Sequence, residues 1–177
     1  MKLIDLPEQQ IVIEGDVIIS NETTTLVGYR HQGKPIARAK VLGIFDCSQT
    51  NITSLEGGPS WVGGDFYCSF TKITSLEGGP SYVGCDFSCV ETKIKSLHNI
   101  HKEIKHIGNR MLIPDTVISH ILGVMFIKGL QKIQFYYRNT EQNQVENIIN
   151  KHLAGDRDIH LAQEELLEAG LKEYAKL

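Results

Sequence analysis

FDCSQTNITSLEGGPSWVGGD at 45–65 is followed without a gap by FYCSFTKITSLEGGPSYVGCD at 66–86, and the same opening returns in FSCVETKIKSL at 87–97. The first two blocks differ only at the paired positions 46/67, 49/70, 51/72, 61/82 and 64/85. A repeat this short cannot bury its own apolar face, so each copy must bury it against the next. Within a block, Phe66 and Cys68 alternate with Tyr67 and Ser69, the period of a short strand with one face buried. Ile73, Leu76 and Val83 supply further inward positions, and Gly78-Gly79-Pro80 and Gly84 turn the chain between them.

Stacking equivalent residues produces five ladders: Phe45/Phe66/Phe87, Cys47/Cys68/Cys89, Ile52/Ile73/Ile94, Leu55/Leu76/Leu97 and Val62/Val83/Ile104. The expected fold class is therefore α+β, built on a short parallel β-solenoid, a leucine-rich-repeat-like coil of about three 21-residue repeats over 45–109. Parallel strands about 4.8 Å apart place three blocks within roughly 15 Å. Residues 1–44 read as a β-rich N-terminal cap. Ile11–Ile19 holds two apolar runs about Glu14-Gly15-Asp16, either a bend or a hairpin turn. Leu26–Arg30 and Ile36–Leu42 read as strands flanking the loop 31–35.

Residues 110–177 change to a mainly helical segment. Pro114 starts a helix over Thr116–Gly123. Lys132–Tyr137 reads as a strand or an irregular link. Thr140 N-caps a helix to Leu153, closed by Gly155, and Asp158–Tyr174 is a last segment broken at Gly170. This tail is expected to cover the C-terminal end of the solenoid.

The motif Ser-Leu-Glu-Gly-Gly-Pro-x-x-Val-Gly-x-Asp-Phe-x-Cys, present at Ser54–Cys68 and Ser75–Cys89, resembles the repeat of leucine-rich-repeat-like proteins encoded by tailed bacteriophages. The resemblance covers about 43–109, and Ile113–Tyr136 is similar to the segment C-terminal to the repeats in such proteins. It implies a solenoid in the cytoplasm of a phage-infected bacterium, and it implies no catalytic residues. The third block departs from the motif, with His98-Asn99-Ile100-His101 in place of Glu-Gly-Gly-Pro.

Composition excludes several classes. Of 177 residues, 41 % are hydrophobic and 22 % charged, too balanced for disorder or a fibre. A net charge of −3 argues against gripping nucleic acid or an acidic membrane by overall charge. No apolar run spans a bilayer, and Met1–Asp5 lacks the apolar stretch of a signal peptide, which predicts a protein kept in the cytosol.

Cys47, Cys68 and Cys89 alternate with phenylalanines and read as small buried hydrophobes rather than thiolate ligands. Cys85 stands near a turn, where a thiol can be reactive. His98, His101 and His106 have loose ligand spacing but read as a solvated cluster, since a zinc site needs further ligands. Asp65 and Asp86 stack in register and read as acceptors of turn amides rather than calcium ligands. The glycine pairs lack the Gly-Lys-Ser/Thr ending of a phosphate loop, and no catalytic elbow occurs. Catalytic residues, cofactor and metal are thus all expected to be none.

Trp61 and Tyr82 occupy equivalent positions just before the inward valine. They read either as recognition anchors on an outer surface or as structural rings that cover the Gly-Gly turns or pack on the C-terminal helices. Lys72 and Lys93 align with Asn51 as a weak basic stripe. The functional expectation is a non-catalytic protein-binding repeat protein whose partner is a host or viral protein, with Trp61, Tyr82, Lys72 and Lys93 as partner-binding residues. A phage origin makes a bacterial defence factor a suitable target. Alternatives are a metal- or thiol-dependent enzyme using the histidines and Cys85, or a virion or assembly component.

Overall fold

The structure, a computed structural model, describes residues 10–116 and 118–177. The Met1–Asp5 reading and the first nine residues of the expected cap lie outside the described residues. The elements in chain order are β1 (Val12–Ile13), β2 (Val17–Ile18), β3 (Arg30–His31), β4 (Lys34–Pro35), β5 (Lys40–Val41), β6 (Phe45–Asp46) and β7 (Trp61–Val62). They continue as β8 (Phe66–Tyr67), β9 (Tyr82–Val83), β10 (Phe87–Ser88), α1 (Ile100–Glu103), β11 (His106–Ile107) and β12 (Arg110–Ile113). A 3-10 helix (Ile121–Phe126), β13 (Lys132–Phe135), α2 (Thr140–Ala154) and α3 (Ile159–Glu168) complete the chain.

The protein is α+β with parallel sheets and a short helical C-terminal segment. The first sheet has strand order β1-β5-β7-β9-β11 and the second β13-β12-β10-β8-β6-β2; every pairing in both is parallel. The chain visits the two sheets in turn. In the repeats the register steps by the 21-residue period: Phe45 opposes Phe66 and Phe66 opposes Phe87, while Trp61 opposes Tyr82. The ordered pairing runs past the repeats in both directions, from Val12 to Phe135.

One core holds the inward residues of both sheets. The rings of Phe45, Phe66 and Phe87 stack with centroids 5.4 and 5.1 Å apart and planes within 16°. Parallel pairing forces identical side chains to overlie one another, and offset-stacked rings suit that spacing. Each block then turns by one device. Gln49, Phe70 and Glu91 take positive φ, and the buried hydroxyls of Thr50, Thr71 and Thr92 donate to the carbonyls of Cys47, Cys68 and Cys89 at 2.7–2.8 Å. The cysteines themselves are fully buried. Their Sγ atoms face carbonyls of the next strand, such as Cys68 to Ser88 at 3.3 Å, and burial pushes the thiols far up.

The third block keeps the turn while changing its residues. Gly57 and Gly78 have positive φ, and a Cβ at Gly78 would lie 2.9 Å from the Glu56 backbone. Asn99 stands at the same position with φ 57°, a conformation its short polar side chain tolerates. The amide of Ile100 bonds to Leu97 as that of Gly79 bonds to Leu76. Helix α1 then adds three residues, so Val83 pairs with Ile107 and not with the expected Ile104. The step here is 24 residues.

The flanks differ from expectation in detail. Gly15, with φ 78°, bends the chain between the two sheets, so Ile11–Ile19 is no hairpin. A hairpin does form nearby, around Gln32 and Gly33 with positive φ, but three of its four strand residues, His31, Lys34 and Pro35, lie in the segment read as its loop. The helix expected over Thr116–Gly123 is absent from the described part of that range before Ile121. Instead Ser119 bridges Ser96 in parallel, because continuing the register satisfies more backbone groups than a short isolated helix. Lys132–Phe135 is a strand beside β12.

Helix α2 begins one residue earlier than read: Asn139 is the N-cap, exchanging side-chain and backbone hydrogen bonds with Gln142. It buries Val145, Ile149 and Leu153. It also closes the free edge of β13, a row of unpaired backbone groups that invites foreign strands. Asn150 donates to the Ile133 carbonyl at 3.0 Å and accepts its amide at 2.7 Å, and Glu146 accepts the Phe135 amide. No helix among the described residues is long and apolar enough to cross a membrane.

Candidate functional site

The outward positions of the first sheet are set by the register: Val12 faces Lys40, Lys40 faces Trp61, Trp61 faces Tyr82, and Tyr82 faces His106. Lys128 continues the line through a parallel bridge to His106. Because each inward neighbour (Val41, Val62, Val83, Ile107) is fully buried, strand alternation turns the row outward. The rings form a continuous stack. Trp61 and Tyr82 lie 5.0 Å apart with planes at 5°, and Tyr82 and His106 lie 4.5 Å apart, also at 5°. The Lys40 ammonium sits 4.2 Å from the centre of the Trp61 ring, a cation–π contact.

All four side chains are half-buried. Gly63 permits the arrangement, since a Cβ there would lie 2.9 Å from two indole carbons of Trp61. The Trp61 ring therefore lies against Gly63, a glycine of the turn after β7 rather than of the Gly57-Gly58 pair, while the half-buried rings keep part of their surface open to solvent. Ring-on-ring contact on both sides of Tyr82 restrains the stack, which lowers the ordering cost of binding to it.

Of the four residues singled out as partner-binding, the structure brings Trp61 and Tyr82 together. Lys72 and Lys93 are exposed and adjacent through the backbone bonds Lys72–Ile52 and Lys93–Ile73, but they form a separate row outside this register line. Lys40, His106 and Lys128 join the row; the sequence reading places His106 in the histidine cluster and gives Lys40 and Lys128 no role. A signal for them exists: Lys40-Val41, Trp61-Val62, Tyr82-Val83 and His106-Ile107 share one pattern, each followed within two residues by glycine. The three-residue insertion at α1 hides the last of them.

The opposite sheet has a different surface. Asp46, Tyr67 and Ser88 stand in register. The Tyr67 hydroxyl donates to Asp65 at 2.7 Å, and burial together with that carboxylate pushes the phenol up to about 12. Asp65 accepts the Asp86 amide at 2.9 Å, while Asp86 accepts from Asn109 and pairs with Arg110 at 2.7 Å.

The histidine cluster is rearranged relative to expectation. His106 belongs to the aromatic stack. His98 and His101 instead meet His120 and His160 around a cavity of about 300 Å³ that Phe126, Ile159 and Leu177 also line. His98 and His120 touch edge to face at 4.8 Å. Burial, followed by neighbouring Lys102, holds His101 below the usual imidazole value, and burial followed by His98 does the same to His120. Among the described residues, no three His, Cys, Asp or Glu side chains are placed to hold one metal ion. Cys85 is exposed, and Cys47, Cys68 and Cys89 are buried free thiols.

No family model, curated protein or solved structure matches the chain. The functional reading therefore rests on the surface chemistry of the chain itself.

Proposed function

We propose that the chain is a short parallel β-solenoid that acts as a non-catalytic protein-binding module. On this reading it is encoded by a tailed bacteriophage and modulates or inhibits a host protein, such as a defence factor, in the cytoplasm of the infected bacterium. The observation that carries the proposal is the Trp61–Tyr82–His106 stack. Aromatic anchors held rigid on a regular scaffold are the residue type and setting that dominate protein interfaces. The two-sheet register supports the solenoid reading, because each 21-residue pass repeats the same inward and outward positions. The Ser-Leu-Glu-Gly-Gly-Pro motif, through the resemblance it carries, is the support for the phage origin.

The test compares tagged wild-type protein with the double variant W61A/Y82A, both expressed during infection. The wild-type chain is expected to recover one host protein in near-stoichiometric amount. Loss of two central anchors lowers affinity by about thirtyfold or more, so the variant recovers little of it. Equal recovery by both chains removes the stack from the binding surface.

A further inference from the structure

The aromatic row carries a charge pattern that narrows the kind of partner. Lys40 and Lys128 stand at its two ends in register with the rings. Lys105, beside His106, is exposed. No Asp or Glu occupies the register line from Val12 to Lys128. Among the described residues, Lys40, Lys105 and Lys128 make no ion pair with a carboxylate, whereas Arg110 on the other sheet is paired to Asp86. In a chain of net charge −3, the row that holds the single tryptophan is thus flanked by lysines without an ion-pair partner among the described residues.

We propose that this row docks an extended acidic segment of the protein partner, with carboxylates at the Lys40 and Lys128 ends and apolar side chains against the ring edges between them. The inference rests on the protein-binding reading and deepens it. From Lys40 to Lys128 there are four inter-strand steps of about 4.8 Å, or roughly 19 Å. An extended chain rises about 3.3 Å per residue, so about six residues span the row. Complementary charge at both ends fixes the register of such a segment and speeds its capture.

A single-stranded nucleic acid is the other polyanion to weigh, and the ring geometry disfavours it. Sequence-tolerant binding of single strands depends on bases stacking on free aromatic faces. Here the inner faces are spent on one another at 4.5–5.0 Å, and Lys40 covers the outer face of Trp61. Carboxylates need only the ammonium groups and the ring edges.

The test uses the full chain and two synthetic peptides of eight residues, one with two Glu at each end of an apolar centre and one with Gln in their place. Trp61 fluorescence reports occupancy. The acidic peptide is expected to give a saturable change that weakens as salt rises, with the Gln peptide at least tenfold weaker. The variant K40Q/K128Q, which removes two surface charges and leaves the core intact, should bind the acidic peptide about tenfold more weakly. Equal binding of the two peptides, or no saturable change with the acidic one, overturns the proposal. So does an oligothymidylate that binds more tightly than the acidic peptide.

The captured partner separates this inference from the reading beneath it. If W61A/Y82A loses the partner while K40Q/K128Q retains it at every salt concentration, the acidic segment is refuted and the binding surface stands. If neither variant changes capture, the surface itself is refuted.

Discussion

Replacing Phe66 by alanine is the sharpest probe of the stacked core. Its ring is 1 % exposed and lies between Phe45 and Phe87 at 5.4 and 5.1 Å. Truncating a buried Phe to Ala costs about 3–5 kcal/mol, the upper part of that range applying where the site cannot collapse. Here it cannot. The Phe45 amide is bonded to the Asp65 carbonyl and the Phe66 amide to the Asp86 carbonyl, both at 2.9 Å, so the flanking rings are held at strand spacing. Loss of two stacking contacts adds to the transfer term. We expect about 4–5 kcal/mol by urea denaturation, with the slope of the transition unchanged, and a Tm lowered by roughly 8–20 °C for a chain of this size. Phe70, four residues on, is 47 % exposed, and F70A should cost less than about 1 kcal/mol. A loss below about 1 kcal/mol in F66A, or equal losses in the two variants, would refute the ladder.

The thiols, the third-block turn and the histidines each supply a further test. In the folded protein a disulfide reagent such as Ellman's should titrate one thiol, Cys85, and reach Cys47, Cys68 and Cys89 only on unfolding; rapid reaction of more than one thiol contradicts their burial. Asn99→Gly should leave stability within about 0.5 kcal/mol, whereas Asn99→Val should lose more than about 1 kcal/mol, because only the second forbids the positive φ of the turn. His101 and His120 are held below their ordinary value in the folded state, so the unfolded chain binds protons more readily than the folded one. Stability should be at its full value above the ordinary imidazole range and fall as pH drops through about 6.5. The Tm measured at pH 7.5 and pH 5.5 tests this, and H101N/H120N should flatten the difference.

How much of this is legible in the sequence depends on what fixes each residue. The 21-residue period specifies the Phe, Cys, Ile and Leu ladders, because an exact repeat leaves parallel stacking as the way to bury its apolar face. It also places Trp61 next to Tyr82. The period fails at Ile104, where the three residues of α1 shift the register to Ile107. It is also masked before Phe45, where Leu26-Val27-Gly28 repeats the turn of Leu55-Glu56-Gly57. There the hairpin β3–β4 lengthens the pass to 28 residues, from Val17 to Phe45. Propensity misleads at Thr116–Gly123, where pairing of Ser119 with Ser96 overrides a helical start. The meeting of His98 with His120 and His160 depends on the long-range placement of α3, which no spacing in one sequence encodes.

The most direct test of the binding surface is hydroxyl-radical footprinting of the chain alone and in complex with its captured partner. Trp61, Tyr82 and His106 are expected to lose reactivity together in the complex, while Tyr67 on the opposite sheet and Phe126 beside the histidine cavity keep theirs. Protection of Tyr67 or Phe126 with Trp61 and Tyr82 unchanged contradicts that expectation.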